Sequence, residues 1–197
     1  ISPILVRGNV FRTFSAKVIL SKFSFFGMGF FDAFSRTWYE VGRYPNNAEK
    51  SGKCGRAEYE LEGDFFKVKN VHIANNKLAT IEGTAKLADD AESTGKLLFT
   101  LPYGRKNVLN ILATDYKNYA VAYYCKFDED KKTHFAWVLS RTKTLEDTVK
   151  TTVENFVKES TILDLSKFTW PDFSEDAWTL WLHMYTFPVT NIVTDIK

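Results

Sequence analysis

At 197 residues, 45% hydrophobic and with a net charge of +2, the chain has the bulk properties of one globular domain or two small ones, with ample length to bury a core. Acids and bases are interspersed, so there is no basic stripe of the kind that binds nucleic acid. No apolar stretch is long enough to cross a bilayer as a helix, and two cysteines, Cys54 and Cys125, are too few for a disulfide scaffold or a cysteine zinc site. The departure from average is aromatic: 17 Phe, 9 Tyr and 5 Trp, residues that fill cores and line ligand cavities alike.

Residues 1–30 are rich in Phe and basic residues, but Arg, Lys and Ser interrupt every apolar run, so they do not form a clean signal peptide. The chain begins without Met, and a processed chain or a fragment is expected. From Trp38 onward the pattern changes to short strands. Trp38 to Tyr44 opens the series, and Pro45-Asn46-Asn47 breaks it. Arg56 to Glu62 alternates with a period of two, placing Ala57, Tyr59 and Leu61 on one face. Gly63-Asp64 is a turn signal, Phe66 to Ala74 follows, and Asn75-Asn76 turns the chain again. Ala79 to Leu87 makes the next strand, with Gly83 as a bulge or bend inside it. After the acidic loop Asp89 to Ser93, Lys96 to Leu101 and Asn107 to Ala113 form a pair around Pro102-Tyr103-Gly104. Asn118 to Cys125 and Phe135 to Ser140 form another around Asp128-Glu129-Asp130-Lys131-Lys132. Eight strands with hairpin-sized connections imply an antiparallel sandwich or barrel.

One helix is expected next. Thr144-Leu145-Glu146-Asp147 reads as a capping box, and Leu145, Val149, Val153, Phe156 and Val157 recur at helical spacing, an apolar stripe that would pack on the outer wall. Asp164 to Phe173 reads as a short last strand, with Pro171 suited to an edge. The domain organisation is an N-terminal segment of uncertain structure (1–30), a barrel plus helix (31–177) and a C-terminal tail (178–197).

Catalytic patterns are missing. His72, His134 and His183 lie on different elements, no His-x-x-x-His pair exists, and there is neither a nucleophile elbow nor a glycine-rich phosphate loop. Glu58 and Glu60 share a strand face with polar neighbours and read as solvated exterior. No catalytic or metal site is expected. Other residues look like binding groups. Asn70 and His72 share a face with Val68. Buried polar groups need hydrogen bonds, so this pair is a satisfied core pair, a solvent-facing pair, or a pair whose partner is a ligand. Tyr124 shares a face with Ala120 and Ala122, where two small residues leave space beside a large one. Trp137 shares a face with Phe135 and Leu139, and Tyr59 is a further pocket candidate by alternation alone.

Three ordered stretches, Thr37-Trp38-Tyr39-Glu40-Val41, Thr114-Asp115-Tyr116-Lys117-Asn118-Tyr119 and Leu139-Ser140-Arg141, resemble the three structural motifs of the lipocalins. Glu49 to Gly55, Val68 to His72 and Tyr123 to Lys132 resemble the insect bilin-binding lipocalins, the insecticyanin-like blue proteins. The resemblance spans about Phe31 to Ala177. It implies an all-β fold: an eight-stranded antiparallel up-and-down β-barrel with one C-terminal α-helix packed outside. Trp38 would close the narrow end with Arg141 across it, and Asp115 would fix a turn. The family has glycine two residues before the tryptophan; here Arg36 stands there, which puts the local backbone in question.

The resemblance further implies a secreted protein of haemolymph or integument. It would bind biliverdin, of the gamma isomer, non-covalently for coloration, pigment storage or transport. Asn70, His72, Tyr124, Trp137 and Tyr59 would be the ligand-binding residues. It calls for no nucleic-acid or membrane partner and allows a homo-oligomer. Two disulfides are also implied, one joining Cys125 to a cysteine near the N-terminus and one joining Cys54 to a cysteine near the C-terminus. Neither partner is present, and Trp178 stands where the second is expected; the bridges are lost, the cysteines serve otherwise, or the tails were misread. The alternatives are a lipocalin that carries a carotenoid, retinoid or fatty acid, and a lipocalin scaffold used for protein interaction or hydrolysis.

Overall fold

The computed structural model describes residues 28–46, 52–74, 77–91, 94–128, 131–171, 173 and 179. Most of both tails, Asn47 to Ser51, the Asn75-Asn76 turn, Glu92-Ser93, Glu129-Asp130 and Trp178 lie outside the described residues.

Eight antiparallel strands close into one barrel in sequence order. They are β1 (Arg36–Arg43), β2 (Lys53–Glu62), β3 (Phe65–Ala74), β4 (Lys77–Leu87), β5 (Gly95–Thr100), β6 (Lys106–Thr114), β7 (Tyr119–Asp128) and β8 (Lys131–Ser140). Closure pairs β1 with β8, Tyr39 opposite Ser140 and Arg43 opposite Trp137, and so leaves no open sheet edge. A short helix, α1 (Met28–Phe34), precedes the barrel and a longer one, α2 (Asp147–Glu159), follows it.

Alternation builds two cores. Inside the barrel, Trp38, Tyr59, Phe66, Leu97 and Phe99 pack with Phe31 and Phe34 of α1. Outside, Val153 and Val157 of α2 are buried against Val121 and Val138 of the wall, with Tyr44 and Phe168 beside them. Strand β7 therefore buries both faces: Ala120 and Ala122 look inward and Val121 lies in the outer core.

Three details differ from the sequence reading. Helix α2 begins at Asp147, its N-cap is Glu146, and no side chain caps it. The Thr144 carbonyl instead accepts a hydrogen bond from Thr142 Oγ1 at 2.6 Å, which draws Thr144 into the preceding turn and away from a capping box. The expected last strand is a 3-10 turn, Leu165–Lys167, capped by the Asp164 side chain. It is followed by one bridge, Thr169 to Arg43. Gly83 is not a bulge in the β3–β4 ladder, which runs unbroken through it opposite Val68. A Cβ there would lie 2.5 Å from the Thr100 carbonyl oxygen, so the glycine permits a close approach of β5 where the two strands begin to part. Cys54 and Cys125 are free thiols.

The narrow end is sealed by one cation. Arg141 lies with its guanidinium carbon 3.6 Å from the Trp38 ring centroid. Its Nη1 donates to the carbonyls of Ser35 (2.8 Å) and Thr37 (3.0 Å), Nη2 to Ala33 (2.8 Å) and Nε to Tyr116 (3.2 Å). Trp38 Nε1 in turn donates to the Phe34 carbonyl at 2.9 Å. Burial, and then the nearby Arg36, pull the Arg141 pKa down to about 10 against the pull of Asp115; it stays charged at neutral pH. Asp115 fixes the neighbouring turn. Its Oδ1 accepts the backbone N–H groups of Lys117 (3.1 Å), Asn118 (2.8 Å) and Tyr119 (3.0 Å). Burial raises its pKa, but the hydrogen bonds from Asn118, Tyr119 and Lys117 outweigh it and hold the carboxyl below its ordinary 3.8.

Arg36 does occupy the conformation that suits glycine, φ +80°, and it repels Arg141. Arg36→Gly is expected to stabilise the chain by about 0.5–1 kcal/mol, the left-handed strain less glycine's entropy, or about 1–4 °C in Tm; thermal unfolding with an unchanged or lower Tm would contradict this. Asp115→Asn is expected to lose about 1–2 kcal/mol at neutral pH. Because the folded pKa is depressed, that stability is fully present above the unfolded value and is lost as pH falls from 3.8 through the lower folded value. Urea unfolding across this range should show the gap to the parent closing, and a gap independent of pH would rule the linkage out.

Candidate binding cavity

Above its aromatic floor the barrel stays hollow. The floor is made by Phe34, Tyr59 and Phe66, with ring centroids 5.1 Å (Phe34–Tyr59) and 5.4 Å (Tyr59–Phe66) apart in edge-to-face contacts. The hollow has a volume of about 190 Å³ and opens toward the β3–β4, β5–β6 and β7–β8 hairpins. It exists because small residues face large ones across the ladders: Ala57 sits opposite Asn70, and Ala122 opposite Trp137. A larger groove of about 390 Å³ lies outside the barrel, beside α1 and β2. Asp32, Arg36, Glu58 and Glu60 line it, and these charges give an apolar guest little to bury against, so the interior hollow is the better binding site.

All five residues singled out from the sequence line this hollow: Tyr59 from β2, Asn70 and His72 from β3, Tyr124 from β7 and Trp137 from β8. Strands β3 and β7 stand four apart in a ring of eight, so Asn70 and His72 face Tyr124 across the space. Tyr124 and Phe135 are stacked at 5.5 Å with 21° between planes, and Phe135 and Trp137 at 6.1 Å with 11°. The result is a flat aromatic wall along two neighbouring strands. Tyr59 is floor more than wall. It is 4% exposed, and burial raises its hydroxyl pKa far above the ordinary 10.0, so it meets the cavity as a neutral phenol.

Three polar lining residues escaped the sequence reading. Asn107 accepts a hydrogen bond from the Tyr124 hydroxyl at 3.2 Å; its signal was the shared face with Leu109 and Ile111 on β6. Arg56 also lines the hollow, although strict alternation puts it outside with Glu58. The register of β2 against β3 shifts between Lys53 and Arg56, and Cys54 there has φ +52°. This bulge brings Gly55 and Arg56 to the rim beside Ala57, while the Arg56 guanidinium stays outside and pairs with Glu58. Glu40 lines the hollow in keeping with alternation, two residues after the inward Trp38, and pairs with Arg43 at 2.5 Å; the register of β1 against β8 shifts just after it. Neither thiol lines the cavity: Cys54 packs with Val71 and Ile73, and Cys125 alternates with the inward Tyr124.

The profile of the lipocalin / cytosolic fatty-acid binding protein family matches residues 35–171. The chain is 50% identical over 145 residues to the bilin-binding protein of Pieris brassicae, covering 71% of this chain and 76% of that one. It is 42% identical over 154 residues to insecticyanin-A of Manduca sexta, covering 74% and 81%. The solved structure of insecticyanin from the tobacco hornworm Manduca sexta superposes with a TM-score of 0.69 at 38% identity, covering 74% of this chain and 82% of that one. With its closed eight-stranded barrel, its floor sealed by tryptophan and arginine, and its outer helix, the chain belongs to the lipocalin family.

Proposed function

We propose that the chain carries a bilin, biliverdin in the first instance, held non-covalently in the barrel. The observation that carries this is the convergence of Tyr59, Asn70, His72, Tyr124 and Trp137, from four different strands, on one cavity, in a chain 50% identical to a bilin-binding protein. A bilin is a flat conjugated chain of four rings with pyrrole N–H donors and lactam carbonyls. Tyr124 and Trp137, which line the hollow with Phe135 stacked between them, meet its faces. Burial of its apolar surface contributes about 2.5 kcal/mol per 100 Å² removed from water. Asn70 and His72 meet its polar edges from the opposite wall, and the neutral Tyr59 hydroxyl is a donor at the floor. At about 190 Å³ the hollow is smaller than the roughly 300–1,000 Å³ of drug-sized sites, so the outer rings lie in the mouth and the rim side chains move aside to admit them.

The position of both thiols off the cavity supports a non-covalent attachment. The gamma isomer, secretion into haemolymph or integument, and a role in coloration or pigment storage follow the same reading. The reading is a binding function: the lining offers aromatic surface and a few hydrogen-bonding groups to a guest. A carotenoid, retinoid or fatty acid would use the apolar wall but give Asn70 and His72 fewer partners than a bilin does.

The purified protein is expected to absorb in the near-ultraviolet and the red, and the extracted ligand to have the mass of a bilin; a single blue-region band or a colourless protein would replace the bilin by another guest. His72→Ala should weaken bilin binding about tenfold, 1.4 kcal/mol, with a shifted red band. An unchanged affinity and spectrum would remove His72 from the site. Ala122→Phe, which grows into the hollow, should abolish uptake while the far-ultraviolet circular dichroism persists; retained full affinity would place the ligand elsewhere.

A further inference from the structure

The mouth of the barrel has a surface that the cavity does not explain. The β5–β6 hairpin tip, Pro102–Gly104, holds Tyr103 at 96% exposure, and near the end of β7 Phe127 is 69% exposed. These are the two most exposed large apolar side chains among the described residues, and neither lines the hollow. The two hairpins are neighbours, because β6 pairs with β7. Tyr103 also sits in the left-handed region, φ +63° and ψ +23°, ahead of Gly104 at φ +72°. Asn-Gly suits such a turn far better than Tyr-Gly, so folding alone does not call for an aromatic ring there.

The surroundings are basic. Lys77, Arg105, Lys106, Lys126, Lys131 and Lys132 are exposed at this end, against Asp128 among the described acids. By sequence the β7–β8 turn adds Glu129 and Asp130, which reduces the excess without reversing it. The Lys132 ammonium lies 5.4 Å from the Phe127 ring centroid, so one basic group accompanies an aromatic tip directly. At the closed end the bias is opposite: exposed Asp32, Glu60, Glu62, Asp64, Asp89 and Asp90 outnumber Arg36, Lys67, Lys86 and Lys117.

Exposed rings among cations, on the one end where an apolar guest enters, fit a lipid–water interface: aromatic rings settle at the headgroup level and the cations meet anionic headgroups. We propose that the open end of the barrel docks on anionic lipid surfaces, with Tyr103 and Phe127 as interfacial anchors, so that a guest passes between bilayer and cavity without crossing bulk water. The docking does not depend on which guest the barrel holds. If the basic rim served only to attract the carboxylates of an anionic guest, the outward rings would have no part and vesicles would not bind.

The test is flotation of the full chain with vesicles of phosphatidylcholine alone and of phosphatidylcholine mixed with phosphatidylserine. The chain is expected to float with the mixed vesicles, to stay behind with the neutral ones, and to be released by high salt. The Tyr103→Asn, Phe127→Thr double variant should lose about tenfold in vesicle affinity while its ligand absorption is unchanged and its Tm is no lower, since Asn relieves the turn. No binding to the mixed vesicles, equal binding to neutral ones, or full binding by the double variant would each overturn the proposal, the last by placing the contact in another part of the chain.

Discussion

Arg141 ties together elements that the chain order keeps far apart. One guanidinium donates to carbonyls at Ala33, Ser35, Thr37 and Tyr116 and lies flat on Trp38. Those carbonyls belong to the end of α1, the start of β1 and the β6–β7 turn. A half-buried charge of this kind is stabilised by such extensive hydrogen bonding. The arrangement makes one end of the barrel a solid floor. Any space in the barrel must then lie toward the other end.

That constraint divides the barrel by chemistry. Below, large aromatics interlock around Tyr59, edge-to-face with Phe34 and Phe66. Above, Ala57, Ala122 and the bulged Gly55 withdraw from the axis, and Asn70, His72, Asn107 and Tyr124 supply hydrogen-bonding groups. Gly83 lets β5 approach β4 closely just where their pairing ends. The division makes a rigid base beneath a hollow that opens at the hairpin end.

Much of this was legible in the sequence because a strand buried on one face must alternate. The eight strands follow from that period, which also sets Ala57 with Tyr59, Asn70 with His72, and Tyr124 with Ala122 on shared faces; the resemblance to the lipocalin motifs chose those faces as inward, where Tyr59, Asn70, His72, Tyr124 and Trp137 do line the hollow. What alternation cannot carry is a break in its own period. The bulge near Cys54 brings Arg56 to the rim of the hollow, although its guanidinium keeps the outer face and pairs with Glu58; Glu40 keeps the face of Trp38. The capping box failed because Thr142 takes the Thr144 carbonyl into a turn. The last strand failed because Asp164 starts a tight turn there and leaves a single bridge. Helix α1 was hidden in a Phe-rich segment, although Phe30 and Phe34 are spaced to stack, and do so at 5.4 Å. The strained φ of Arg36 was anticipated, because the resembled motif has glycine at that position.

The central claim is that the hollow above the Tyr59 floor receives a flat conjugated guest between the Tyr124–Phe135–Trp137 wall and the Asn70–His72 pair. A crystal structure of the protein loaded with biliverdin tests it most directly. The account predicts tetrapyrrole density inside the barrel, within stacking distance of Trp137 and hydrogen-bond reach of Asn70 or His72, with its outer part in the mouth. A barrel interior filled by the chain's own side chains, with the pigment on the outer surface, would contradict it.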